Sequence, residues 1–114
     1  RSTALMIAST YSNFGSSLET VKLLLHRGAD VNAQNGDGMT ALMYASEYSN
    51  STSSLETVKL LLDRGADINV QSKNGQTALM IASQRRGSLE TVKLLLDRGA
   101  NIHLRSIIGE TALM

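Results

Sequence analysis

Gly38-Met39-Thr40-Ala41-Leu42-Met43-Tyr44-Ala45, then Leu55-Glu56-Thr57-Val58-Lys59-Leu60-Leu61-Leu62-Asp63-Arg64-Gly65-Ala66-Asp67-Ile68-Asn69, is one copy of a text that the chain repeats. Thr-Ala-Leu-Met starts at Thr3, Thr40, Thr77 and Thr111, at spacings of 37, 37 and 34 residues. The block Ser-Leu-Glu-Thr-Val-Lys-Leu-Leu-Leu starts at Ser17, Ser54 and Ser88. From its first Leu (Leu18, Leu55, Leu89) to the next Thr-Ala-Leu-Met is always 22 residues. The length difference therefore falls before this block, where the third unit lacks three residues. Fixed-period self-similarity of this kind signals a stacked array of small units.

Each unit reads as two helices and a turn. Thr3 is a good N-cap, because its hydroxyl can accept an orphan backbone N–H. Ala4, Leu5 and Ala8 supply a small apolar face, and Leu18, Val21, Leu24 and Leu25 form a second helical stripe. Between them lies the polar run Ser12-Asn13-Phe14-Gly15-Ser16, with Ser16 three residues before Glu19 in capping-box spacing. Gly28 after Arg27 is a helix stop, with a cation near the negative end of the helix dipole. Asn35-Gly36-Asp37-Gly38 and Ser72-Lys73-Asn74-Gly75 then read as protruding turns, with Gly, Asn or Asp supplying positive-φ positions.

On these residues the chain resembles the ankyrin repeat family over essentially its whole length. The resemblance implies an all-α solenoid of helix–loop–helix units with β-turn fingers projecting from it. The units are expected at about 3–39, 40–76 and 77–110 within one domain over 1–114, with a fourth beginning at 111–114. Two departures stand out. The family usually has Pro after the Thr and His after the Leu, where this chain has Ala and Met; Met cannot make the hydrogen bonds that the family's His makes between units. The first two units are also about four residues longer than the family pattern between their helices, and the third about one. Four residues make about one helical turn, so either the first helix runs on or the connecting loop bulges. The Ser/Asn-rich inserts are similar to those of ankyrin arrays in large DNA viruses and protists. Asp30-Val31-Asn32 and Asp67-Ile68-Asn69 resemble ankyrin sites modified by asparaginyl hydroxylases; the alternative is that these Asn residues simply hydrogen-bond the turn.

Composition narrows the function. With 114 residues and a formal net charge of +1, no global field draws the chain to nucleic acid or to an anionic membrane. No apolar run approaches the ~20 residues of a membrane helix. There is no Cys, so disulfides and thiolate zinc sites are excluded, and a reducing, intracellular, cytoplasmic home fits. The two His residues, His26 and His103, sit at a helix end and in a finger. Neither has metal-ligand spacing to a second donor. Gly36-x-Gly38 lacks the residues that complete a phosphate loop. No catalytic, cofactor or metal site is expected, and the chain reads as a non-enzyme.

The expected function is binding another protein. Between Ser17–Asn32 and Ser54–Asn69, fourteen of sixteen residues are identical, so the second helices read as scaffold. The copies differ at the tips and on the first helices, and partner contact is expected there. The tip residues are Gln34, Asp37, Met39, Lys73, Asn74, Gln76, Arg105, Ile107, Ile108 and Glu110. Those of the first helices are Tyr11, Glu47, Tyr48, Gln84 and Arg85. Tyr11 and Tyr48 occupy equivalent positions, and aromatics are favoured anchors. Asp37 and Glu47 make the middle acidic, while Arg85, Arg86 and Arg105 make the C-terminal end basic, which suits a partner of mixed charge. Ile107-Ile108 is an apolar pair on a turn. It reads equally as a binding anchor or as packing against a further unit. Neither terminal unit shows a polar capping face, so the chain reads as a section of a longer array, or as one whose ends pair with other copies. A structural, self-associating unit and an engineered binding scaffold are the competing readings.

Overall fold

Thr3, Thr40 and Thr77 each open a short helix. In each the Thr Oγ1 accepts the N–H of the Met three residues on, at 3.1, 3.3 and 3.2 Å. The computed structural model describes residues 3–11, 17–49, 55–84 and 89–109. Within them are α1 (Ala4–Thr10), α2 (Ser17–His26), α3 (Ala41–Glu47), α4 (Leu55–Asp63), α5 (Ala78–Gln84) and α6 (Leu89–Asp97), and no strand. The architecture is all-α. α1 pairs with α2, α3 with α4 and α5 with α6; α1, α3 and α5 stack as one layer, and α2, α4 and α6 as a looser second one.

The inner layer is close because its contact residues are small. Ala41, Ala45, Ala78 and Ala82 are at most 2% exposed, so their small side chains let the helix backbones approach. Met6, Met43 and Met80 are buried at the position where the family has His. Their flexible thioethers fill the gap between layers, and the Met6 sulfur accepts the Thr3 N–H at 3.4 Å within its own unit. Packing thus occupies a position where the family uses hydrogen bonds. Leu61 and Leu95, with Val58, are fully buried where the second layer meets the first.

The inserts do not lengthen the first helices. α1, α3 and α5 have seven residues each, and Tyr11 and Tyr48 cap the first two by donating to Ile7 O and Tyr44 O at 3.3 Å. The expectation of a longer first helix is therefore replaced by helices of one length. The alternative of a bulging loop, and the Ser16 capping box, concern residues outside the described ones. At the other end of the second helices, Gly28, Gly65 and Gly99 adopt φ near +90°. There Ala29, Ala66 and Ala100 donate back to Leu24, Leu61 and Leu95 at 3.0 Å, the six-to-one bond that closes a helix with a left-handed glycine.

Asp63 and Arg98 form an ion pair at 3.0 Å across the second and third units. At the first boundary the residue matching Asp63 is His26, opposite Arg64. His26→Asp is expected to add the missing pair and raise stability by a few tenths of a kcal/mol at low salt. Urea unfolding at two ionic strengths checks this; a gain that survives high salt would contradict a surface ion pair.

Candidate partner-binding surface

The fingers are built by one residue each. In the first, Asn35 Oδ1 accepts the N–H groups of Asp37 and Met39, both at 3.0 Å, while Gly38 N donates to Asn35 O at 2.9 Å. In the second, Ser72 Oγ does the same for Asn74 and Gln76 at 3.3 and 3.2 Å. Among the described residues every positive φ belongs to a Gly, including Gly38 at +76° and Gly75 at +78°. This corrects the expectation that Asn or Asp shares that role. They act through side-chain acceptors instead.

Neighbouring fingers are tied together. Lys73 N donates to Asp37 O at 2.8 Å, and Ile107 N to Asn74 O at 2.9 Å. Gln34 and Gln71 are equivalent and do equivalent work. Gln71 Nε2 reaches Gly75 O in its own finger at 2.9 Å and Arg105 O in the next at 3.0 Å; Gln34 Nε2 reaches Gly38 O at 2.8 Å and Gln71 O at 3.5 Å. Sequence comparison treats Gln34 as a divergent tip residue, whereas its amide braces the fingers. Arg105 keeps the bond within its own finger, to Gly109 O at 3.1 Å. Asn32 accepts from Asp67 N at 2.7 Å and donates to Gly65 O at 3.1 Å, and Asn69 accepts from Asn101 N at 2.8 Å. These two Asn residues do hydrogen-bond the turns.

Two clefts open on the inner-helix side. One, of about 340 Å³, lies between the first two fingers and is lined by Asp37, Met39, Tyr44, Ser72, Lys73, Asn74, Gln76 and Ile81. The other, of about 230 Å³, is lined by Met6, Ile7, Thr10, Tyr11, Tyr44 and Tyr48. Tyr44 borders both, and its hydroxyl accepts from Asn35 Nδ2 at 2.9 Å. Seven of the residues expected from the sequence line the two clefts: Asp37, Met39, Lys73, Asn74 and Gln76 in the finger cleft, Tyr11 and Tyr48 in the other. Tyr44 itself is not on that list, although it is one of the positions where the copies differ; its neighbour Tyr48, matched to Tyr11, is the aromatic that spacing alone brings forward.

The other residues fall elsewhere. Glu47 is half-buried at the end of α3, and Gln84 is exposed at the end of α5. Arg105, Ile107 and Ile108 are exposed on the third finger. Arg85, with its neighbour Arg86, and Glu110 lie outside the described residues. Asp37 and Lys73 are exposed, and neither is in an ion pair among the described residues. Gln76 Oε1 is buried without a hydrogen-bond partner. Among the described residues no group of three or more His, Cys, Asp or Glu could hold a metal ion, and no helix is long and apolar enough to cross a membrane.

A putative ankyrin repeat protein of Acanthamoeba polyphaga mimivirus is 67% identical over 33 residues, a stretch that covers 29% of this chain and 6% of the viral protein. This chain thus spans a small part of that relative's length. The family model for ankyrin repeats in three copies matches residues 5–106. With the capped helix pairs, the glycine stops and the braced fingers, that match places the chain in the ankyrin repeat family.

Proposed function

We propose that this chain binds a partner protein through the groove on its inner helices and through its finger tips. Ankyrin repeats are in general protein–protein interaction modules and non-catalytic. The observation that carries the reading is that divergent residues from two units, Tyr11, Tyr48, Asp37, Lys73 and Gln76, line two clefts that both border Tyr44. The third finger adds an apolar anchor. Ile107 and Ile108 are 71% and 73% exposed. Their equivalents Gly36 and Asp37, and Lys73 and Asn74, stay exposed although another finger follows each of them. Stacking a further unit would therefore leave this pair uncovered.

A partner protein captured from a cell extract is expected to lose at least about tenfold in affinity to Tyr48→Ala combined with Ile107→Asp, as loss of aromatic and apolar anchors implies. The unfolding midpoint should change little, and Lys59→Ala on the outer helix α4 should bind normally. Equal affinity for the double variant and the parent would reject this surface.

End-to-end self-association is a second reading, favoured by one face of the first unit. Ala4 and Thr20 are exposed, while Ala41, Ala78, Thr57 and Thr91 at the same positions are at most 2% exposed. That face joins Ile7, Ala8, Tyr11 and Leu24 in an apolar cleft of about 380 Å³. Sedimentation equilibrium showing only monomer at high concentration would remove this reading.

A further inference from the structure

Aromatic side chains are scarce in this chain: three Tyr, one Phe and no Trp among 114 residues. All three Tyr line a single cleft of about 230 Å³, together with Met6, Ile7 and Thr10. The fold does not call for aromatics there. The position of Tyr44 carries Ile7 in the first copy and Ile81 in the third, and that of Tyr11 and Tyr48 carries Arg85 in the third. The Tyr44 ring is also held in place, because its hydroxyl accepts from Asn35 Nδ2 at 2.9 Å. No lining residue is charged. α1 and α3, with their C-caps Tyr11 and Tyr48, supply the whole lining and carry a single charged side chain, Glu47. Beyond Tyr44 the finger cleft adds Asp37 and Lys73, whose charges oppose each other.

Resting on the reading of this side as the partner site, we propose that the tyrosine cleft receives the guanidinium of one arginine side chain of the partner protein. The face of an aromatic ring attracts a cation through the ring quadrupole, and Arg is used for this more often than Lys. The planar guanidinium also stacks on rings and is less strongly hydrated than an ammonium. It therefore gives up less on entering a cleft that offers no carboxylate. Met6 and Ile7 supply apolar surface for its methylene stem. Other occupants fit less well. An anion finds no Lys or Arg in the lining, and a metal ion finds no carboxylate or imidazole. An aliphatic side chain would pack as well on Ile at the position of Tyr44, which is what the other two copies have.

Two tripeptides that differ in charge but hardly in shape test this: acetyl-Gly-Arg-Gly-amide and its citrulline analogue, in which a neutral urea replaces the guanidinium. Each is titrated into the whole chain and followed by NMR at the tyrosine ring signals. The arginine peptide should shift all three Tyr rings along one saturating curve. The citrulline peptide should bind about tenfold more weakly, as loss of the cation–ring attraction implies, and a lysine analogue should also bind more weakly than arginine. Tyr11→Leu/Tyr48→Leu keeps apolar bulk and should weaken the arginine peptide about tenfold, whereas Tyr11→Phe/Tyr48→Phe keeps the rings and should stay within about twofold of the parent. Equal binding of the arginine and citrulline peptides, equal binding of arginine and lysine, or the absence of a saturating shift overturns the proposal, and none of these readings needs a variant to fold. If the peptides fail while Tyr48→Ala/Ile107→Asp still weakens the captured partner, the partner site stands and only the arginine assignment falls. If the arginine peptide binds but that double variant leaves the partner's affinity unchanged, the partner docks elsewhere and the proposal falls with that reading.

Discussion

Gly75→Ala is expected to destabilise the protein by about 2–5 kcal/mol. Two costs add. Gly75 has φ +78°, a conformation an Ala residue holds only with strain of roughly 1–2 kcal/mol. A Cβ there would also stand 2.9 Å from Ser106 Cα and 3.0 Å from Ile107 N, both backbone atoms of the next finger. Neither atom can swing aside as a side-chain end could, and forcing extra carbon into a packed contact costs roughly 1–3 kcal/mol. Gly65 provides the control. Its φ of +93° is just as demanding, yet nothing lies within 4 Å of its missing Cβ. Gly65→Ala should therefore cost only the conformational strain, roughly 1–2 kcal/mol. Urea unfolding of both variants measures the difference; equal losses would mean that the finger-to-finger contact contributes nothing.

Leu61→Ala is the second large effect, about 3 kcal/mol, within the range for truncating a fully buried Leu. Leu61 is 0% exposed in α4, with units on both sides. Leu24 is the same residue in the same local text one unit earlier, but it is only half-buried and borders the open cleft of the first unit. Leu24→Ala should cost less than half as much, because less of its surface leaves water and the site can relax toward solvent. In an array whose stability sums over nearest neighbours, the ratio of the two losses reports how much of a helix pair's stability comes from its second neighbour. Matching losses would mean that local packing within one unit dominates.

Much of the fold is legible in the sequence because it is set locally. Threonine caps and glycine stops act within four or five residues, and the Ala and Leu stripes repeat in register. The site is legible only in part. That copies differ at Asp37 and Lys73 can be read directly; that the two share a cleft depends on how one finger stacks on the next. Gln34 and Gln71 are invisible as braces, since their bonds reach carbonyls 37 and 34 residues away. The replacement of Met39 by Gln76 is a signal present in the text, but its meaning rests on burial, which only the stacked fingers create. Tyr44 is likewise unremarkable among three Tyr residues until two clefts meet at its ring.

The cross-links between fingers have a consequence for how such an array can change over generations. Each tie ends on a fixed backbone atom of the adjacent finger, so one residue gained or lost in a finger would put its whole row of ties out of step. The constant 22 residues from the second helix to the next Thr-Ala-Leu-Met fit that restriction, and the variation between 37 and 34 falls wholly between the two helices of a unit. The fingers thus diversify by substitution at constant length, whereas the stretch between the helices diversifies by insertion and deletion. A lineage can lengthen its loops without disturbing the reading frame of its binding surface.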